Sequence, residues 1–257
     1  MNLGLGGRTA LVFGGSRGIG AATARVLHDE GAIVGITGST AASAARLAET
    51  LPGALPLAAD LTQEGDAEKA VAAFLERHGR IDLALISAGA AQGGAFSDLE
   101  DTVWRNALDL KFMGMIRAIR ALLPAMRTQQ SGRILVVVGN NGKQPSGAML
   151  PGSAANAACL AVIRGLADQV AGDGIRINAL NPGPTRTDRW DGLVARMAAA
   201  SGRTEADVER ELLAAQPLGR IGTADEMGRL AAMMLSDAAD MLVGTSITAD
   251  GGATKGL

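Results

Sequence analysis

Short apolar runs rich in β-branched residues alternate with longer alanine-rich stretches from one end of the chain to the other. Runs of the first kind are too short for helices and are bounded by glycine, proline or polar residues. They predict strands at 9–13, 33–37, 54–58, 81–87, 133–138, 176–180 and 246–248. The stretches between them carry apolar residues at helical spacing and predict helices over 18–29, 41–51, 64–77, 99–126, 152–171 and 224–235. Strands that alternate with helices are joined by crossovers, so the sheet is parallel and helices cover both faces. The expected fold is α/β: one doubly wound domain over residues 1–257, built on a parallel sheet of about seven strands. No gap is long enough for a linker, and there is no internal repeat. One segment breaks the rhythm. Residues 185–216 are polar, arginine-rich and helix-patterned, inserted where a substrate lid would sit.

The turn after the first strand reads Gly14-Gly15-Ser16-Arg17-Gly18-Ile19-Gly20 and opens directly into a helix pattern at Ala21-Ala22-Thr23. Glycines belong there for physical reasons. The strand must turn sharply, the backbone must approach a pyrophosphate, and the helix must pack closely on the sheet, leaving its N-terminal N–H groups for the anion. Strand, glycine loop and helix in that order point to a dinucleotide and hence to a Rossmann domain.

Composition narrows the function. The hydrophobic content of 47% is ample for a core, and with 35 glycines and 2% aromatics that core is aliphatic and closely packed. A formal charge of -2 supplies no basic field for a nucleic acid, which is excluded as a partner. The single cysteine excludes an internal disulfide and fits a reducing compartment. No apolar run is read as membrane-spanning, and Met1-Asn2-Leu3-Gly4 lacks the features of a signal peptide. The expectation is a cytoplasmic protein with no membrane partner. No His, Cys or carboxylate cluster has metal-ligand spacing.

Gly14-x-x-x-Gly18-x-Gly20 resembles the phosphate loop of the short-chain dehydrogenase/reductase family, and the similarity covers nearly the whole chain. Asp60-Leu61-Thr62 resembles that family's adenine-contacting site. Ser87-Ala88-Gly89 is similar to the end of its Asn-Asn-Ala-Gly segment, with Ile86 and Ser87 in place of the asparagines. Asn181-Pro182-Gly183-Pro184-Thr185-Arg186-Thr187 resembles the loop that holds the nicotinamide carboxamide, and Leu218 to Gly222 and Asp250-Gly251-Gly252 follow the pattern too. The resemblance implies a cofactor site drawn from Gly14, Ser16, Arg17, Gly18, Ile19, Gly20, Asp60, Leu61, Ser87, Ala88, Gly89, Pro182, Gly183, Thr185 and Thr187. It also implies a small-molecule substrate and a homo-oligomer, tetramer or dimer, built partly on the helices after the fourth and fifth strands. Small residues Ala154, Ala155, Ala157, Ala158 and Ala161 permit close packing there, or equally inside one chain.

The family's NAD-binding members carry an acidic residue at the end of the second strand, where it bonds the ribose and repels an added phosphate. Here the chain reads Gly38-Ser39-Thr40. Arg17 suits a 2′-phosphate, and Ser39 and Thr40 offer hydroxyl donors, so NADP(H) is favoured over NAD(H). The alternative is a solvated arginine beside an ordinary turn.

The catalytic positions depart from the family. Its chemistry uses a tyrosine acid, a lysine one helical turn later, an orienting serine and a relay asparagine. This chain contains no tyrosine. By the resemblance, Gly152 stands at the tyrosine position, Asn156 at the lysine, Gly139 at the serine and, counting back from Pro124, Lys111 at the asparagine. Lys111 falls within a stripe of Trp104, Leu108, Met115, Ile119 and Leu122 and should meet a partner or a cavity. Lining the nicotinamide pocket, it could donate a proton or strong hydrogen bond to a substrate oxygen; otherwise it reaches a ribose hydroxyl or solvent. Lys111 and Asn156 are the catalytic candidates. Asn141 and Lys143 are weaker ones after the fifth strand, Ser153 reads as a helix-start hydroxyl, Cys159 as core, and His28 and His78 as helix-end residues. Three functions follow: an oxidoreductase with a rebuilt site, a non-catalytic dinucleotide-binding sensor or partner subunit, and non-redox chemistry on the same fold.

Overall fold

Hydrophobic alternation along the first strand assigns its neighbours. In β1 (Thr9–Phe13), Leu11 and Phe13 enter one apolar cluster and Ala10 and Val12 the other, so both faces of the strand are buried. The computed structural model describes residues 3–89 and 93–256. Beside β1 lie β2 (Ile33–Gly38), β3 (Leu55–Ala58), β4 (Leu83–Ile86), β5 (Gly132–Val137) and β6 (Ile175–Pro182). A short ribbon follows, β7 (Thr185–Arg186) with β8 (Gly222–Thr223), and then the edge strand β9 (Ser246–Ala249). Seven strands form one parallel sheet in the order β3-β2-β1-β4-β5-β6-β9, with Ala10 level with both Val34 and Leu83. The order reverses between β1 and β4, which opens a crevice at the carboxyl ends of those strands.

One face is covered by α1 (Gly18–Asp29), α2 (Ala41–Ala48) and α9 (Ala224–Leu235), the other by α3 (Asp66–His78), α5 (Gly114–Gln129) and α6 (Leu150–Val170). Helices α1 and α9 approach closely because position 228 is glycine: a Cβ there would lie 2.9 Å from the carbonyl carbon of Ala22. The region 147–173 is long and apolar enough, by length and composition alone, to cross a membrane, which amends the sequence reading. In the fold it packs against β6. On α6, Ala155 is buried in the domain while Ala154, Ala157 and Ala161 are exposed.

The helix expected over 99–126 is interrupted. It comprises α4 (Asp101–Ala107), a π-helical turn at Leu108–Met113, and α5. The Gly114 N–H donates to the carbonyl of Asp109, five residues back, rather than four. Gly114 packs against Leu61, where a Cβ would meet the Leu61 Cβ at 3.1 Å. One extra residue rotates everything before it by about 100° relative to the helix that follows. Accordingly Met115, Ile119 and Leu122 are buried as the stripe requires, whereas Leu108 is exposed and Trp104 only half-buried.

The insertion at 185–216 is helical as expected, with α7 (Asp188–Ser201) and α8 (Glu205–Ala214), and its Trp190, Val194, Ala198 and Val208 form a small core with Ile221 just beyond it. Glu209 ties the two helices together, accepting from Trp190 Nε1 at 2.8 Å and pairing with Arg186. At the opposite end of the sheet the buried carboxylate of Asp82 accepts from the Thr9 N–H at 2.9 Å, the Thr9 hydroxyl at 3.1 Å and Arg80. Burial alone would raise its pKa; those donors hold it below the usual value.

Candidate active site

The β1–α1 turn is built to hold an anion. Gly14 has φ +69, and a Cβ on it would meet the Ala88 nitrogen at 2.9 Å. A Cβ on Gly20 would lie 2.2 Å from the Gly14 carbonyl oxygen, so only glycine permits the helix to start so close to the strand. Helix α1 begins after Arg17 without a side-chain cap, leaving its first N–H groups to an outside acceptor. Ser16 and Arg17 make no side-chain hydrogen bond or ion pair among the described residues, and Ile19 packs half-buried against the core.

Of the other positions expected to meet a cofactor, Ser87, Ala88, Gly89 and Thr187 lie beside this turn. The Ser87 N–H donates to Phe13 O at 2.9 Å, laying Ser87, Ala88 and Gly89 beside Gly14. Gly18 faces Thr187, whose methyl would touch a Cβ there at 3.6 Å. Pro182 ends β6, Gly183 presses on Asp250 where a Cβ would meet another at 2.6 Å, and the Thr185 hydroxyl donates to Gly183 O. Asp60 accepts from the Thr62 N–H and hydroxyl on Oδ1, which leaves Oδ2 for an adenine. The Leu61 side chain is core, and its carbonyl accepts from Arg117 at 2.8 Å. These glycine-lined surfaces and unclaimed donors fit a dinucleotide.

At the end of β2, Thr40 caps α2 and Ser43 answers it in a capping box. A Cβ on Gly38 would lie 2.2 Å from the Ser43 hydroxyl oxygen, so a side chain at that position would displace the Ser43 hydroxyl from the capping box. Ser39 and Thr40 are exposed, and the Thr40 oxygen, though it accepts from the Ser43 N–H, keeps its own proton to donate.

Lys111 lies in the π turn and reaches across the carboxyl ends of the central strands. Its Nζ donates to Val137 O at 2.5 Å and stands 3.5 Å from Ala88 O. It runs beneath Gly89, where a Cβ would meet the Lys111 Cδ at 2.6 Å. Desolvation pushes its pKa down to about 8, with Cys159 opposing and Arg189 reinforcing the shift. Cys159 is core, its thiol donating weakly to Lys111 O at 3.7 Å, and burial pushes its pKa up.

Asn156 is half-buried on α6, one turn after Gly152, and its Nδ2 lies 2.9 Å from where a Cβ on Gly139 would be. Among the described residues that amide has no hydrogen-bond partner. Ser153 is spent locally, accepting from the Ser146 N–H and donating to Met149 O. Lys143 turns to the sheet edge and donates to Ser246 O, while Asn141 is half-buried with no side-chain hydrogen bond among the described residues.

One residue that the sequence does not single out is Arg189, in the first turn of α7. It donates to Gly89 O across 3.5 Å. Its side chain is exposed, and desolvation, Arg196 and Arg17 hold its pKa below the usual value. The signal for it is the arginine-rich character of the insertion, which carries no information on which arginine turns inward.

Residues 14–254 match the family model described as enoyl-(acyl carrier protein) reductase. The chain is 30% identical to the uncharacterized oxidoreductase YvrD of Bacillus subtilis (strain 168), over 100% of both chains. It is 32% identical to the oxidoreductase UcpA of Salmonella typhimurium, covering 97% of this chain and 95% of that one. Among solved structures it resembles YwfH, an NADPH-dependent reductase involved in bacilysin biosynthesis. That likeness has a TM-score of 0.89 at 28% identity, over 98% of this chain and 100% of that one.

Proposed function

Because the chain belongs to the short-chain dehydrogenase/reductase family, we propose that it is an NADP(H)-dependent carbonyl/alcohol oxidoreductase whose substrate-facing groups are Lys111 and Asn156. The observation that carries this reading is their placement. An ammonium and an amide with no hydrogen-bond partner among the described residues stand at the carboxyl ends of β4 and β5, beside the phosphate turn, and glycines occupy 139 and 152, the positions that the resemblance assigns to a serine and a tyrosine.

When bound, the nicotinamide supplies or accepts the hydride. The chain's own task is to hold the carbonyl and stabilise the charge that develops on its oxygen. Asn156 fills the space left open above Gly139 and offers its N–H from there. Lys111 has two protons directed at Val137 O and Ala88 O, which fix the ammonium, and a third to offer. With a pKa near 8 it is charged at neutral pH and close enough to neutrality to surrender a proton. Arg17, Ser39 and Thr40 support NADP(H), as does the absence of a carboxylate at Gly38. The NADPH dependence named for YwfH supports the same choice.

A second reading has an observation in its favour: Lys111 is already bonded to two backbone carbonyls, as a purely structural lysine would be. In that case the chain is a non-catalytic dinucleotide binder. Fluorescence titration with NADPH, then turnover on a broad panel of carbonyls and alcohols, separates the two. The enzyme reading expects binding and turnover that collapses in Lys111→Met; tight binding without turnover anywhere on the panel sinks it.

A further inference from the structure

The lid sorts its arginines into two kinds. Arg186, Arg203 and Arg210 pair with Glu209, Glu211 and Asp207. Arg189 and Arg196, on the same helix, pair with no carboxylate among the described residues, and neither do Arg17 or Lys111. Arg17 and Arg196 are also close enough to Arg189 to repel it. Two of these cations meet at one glycine. Arg189 reaches the Gly89 oxygen, and Lys111 Nζ lies 3.2 Å from where a Cβ on Gly89 would be. Gly89 follows β4 at the crevice, whereas the cofactor's phosphates already have the uncapped start of α1.

We propose that Arg189, with Lys111 behind it, binds an anionic group on the substrate, a carboxylate or phosphate monoester carried near the reacting carbonyl. A planar guanidinium holding a single long contact to a carbonyl is free to exchange it for a bidentate pair with an oxyanion. Mutual repulsion sharpens the case: Arg189 is held below its usual pKa by desolvation and by Arg196 and Arg17, and all three cations gain when an anion arrives. The inference rests on the oxidoreductase reading for the substrate's identity, though the anion site itself is measurable without turnover.

The test is calorimetric titration of the full chain, in excess NADP+, with acetoacetate, dihydroxyacetone phosphate and methyl acetoacetate. At least one anion is expected to bind about ten to a hundred times more tightly than the neutral ester. Which of the two does so identifies the carboxylate or the phosphate. Arg189→Met is expected to erase the preference and Arg189→Lys to keep part of it. Equal or undetectable binding of all three overturns the proposal. So does an Arg189→Met variant that loses NADP+ affinity while the anion-to-ester ratio stands, since the arginine then serves the cofactor. With NADPH replacing NADP+ in a parallel turnover assay, a wild type that binds the anion but reduces nothing keeps this site and removes the oxidoreductase reading; reduction of neutral ketones without preference does the reverse.

Discussion

The side-chain amide of Asn156 occupies the space above Gly139, with Nδ2 2.9 Å from the point where a Cβ at 139 would sit. Gly139 also has φ +133, a conformation that side chains rarely adopt. A serine there is therefore expected to lower stability by roughly 1–3 kcal/mol and not to raise turnover. Part of that loss should return with Asn156→Ala, because the clash is shared. A double-mutant cycle on thermal melts reads the coupling; strict additivity would show that the two positions do not meet.

Lys111 sets a pH window for stability. Its folded pKa is about 8, against 10.5 for a free lysine. Below about 8 both states are protonated and the native state bears the full cost of a desolvated ammonium. Between the two values the unfolded chain holds more protons, so stability rises with pH, by at most about 3 kcal/mol. Cys159 and Arg189 face the ammonium, so the measurement belongs in a Cys159→Ala background, where no thiol titrates. Lys111→Met should flatten the rise. If the ammonium serves as the acid, reductive turnover falls above about pH 8, and the variant loses about 10²–10⁴-fold.

Asp82 governs the acid limb. Its pKa is depressed, so its contribution is complete above the usual carboxylate value and is lost as pH falls through the folded one. Asp82→Asn should cost about 1.5–3 kcal/mol at neutral pH and make denaturation less dependent on pH in the acid range. Chemical denaturation at a series of pH values checks both.

Cofactor choice should turn on Arg17. Arg17→Ala is expected to weaken NADPH about tenfold or more while leaving NADH unchanged, read by nicotinamide fluorescence. An equal loss for both cofactors would mean that the arginine meets the diphosphate instead.

Trp190 reports on the lid. The Glu209 carboxylate is held below its usual pKa by the Trp190 N–H and by Arg186. In a Trp104→Phe background, Glu209→Ala should shift Trp190 emission to longer wavelength and raise KM more than it changes kcat. Unchanged emission would show that the tie does not position the indole.

Much of the fold was legible because strand and helix periods differ and glycine turns have one physical use. Strands β1 and β5 and helices α1 and α9 fall within a residue of expectation. The π turn was not, since it depends on Gly114 meeting Leu61, a contact between distant segments. Nor was the ribbon of β7 and β8, two residues on each side. At the site, Lys111 was named for a buried face and found bonded to strand carbonyls, whereas Arg189 went unnamed because its meaning lies in the missing carboxylate, which no local pattern records.

The π turn makes the site sensitive to length as well as to chemistry. Removing one residue from Leu108–Met113 would return the helix to ordinary pitch while preserving every neighbouring side chain's identity. The lysine would then swing out of register with Val137 and Ala88, and a different residue would face the strand ends. A single-codon deletion is thus the smallest change that could disarm this crevice without replacing one residue that lines it.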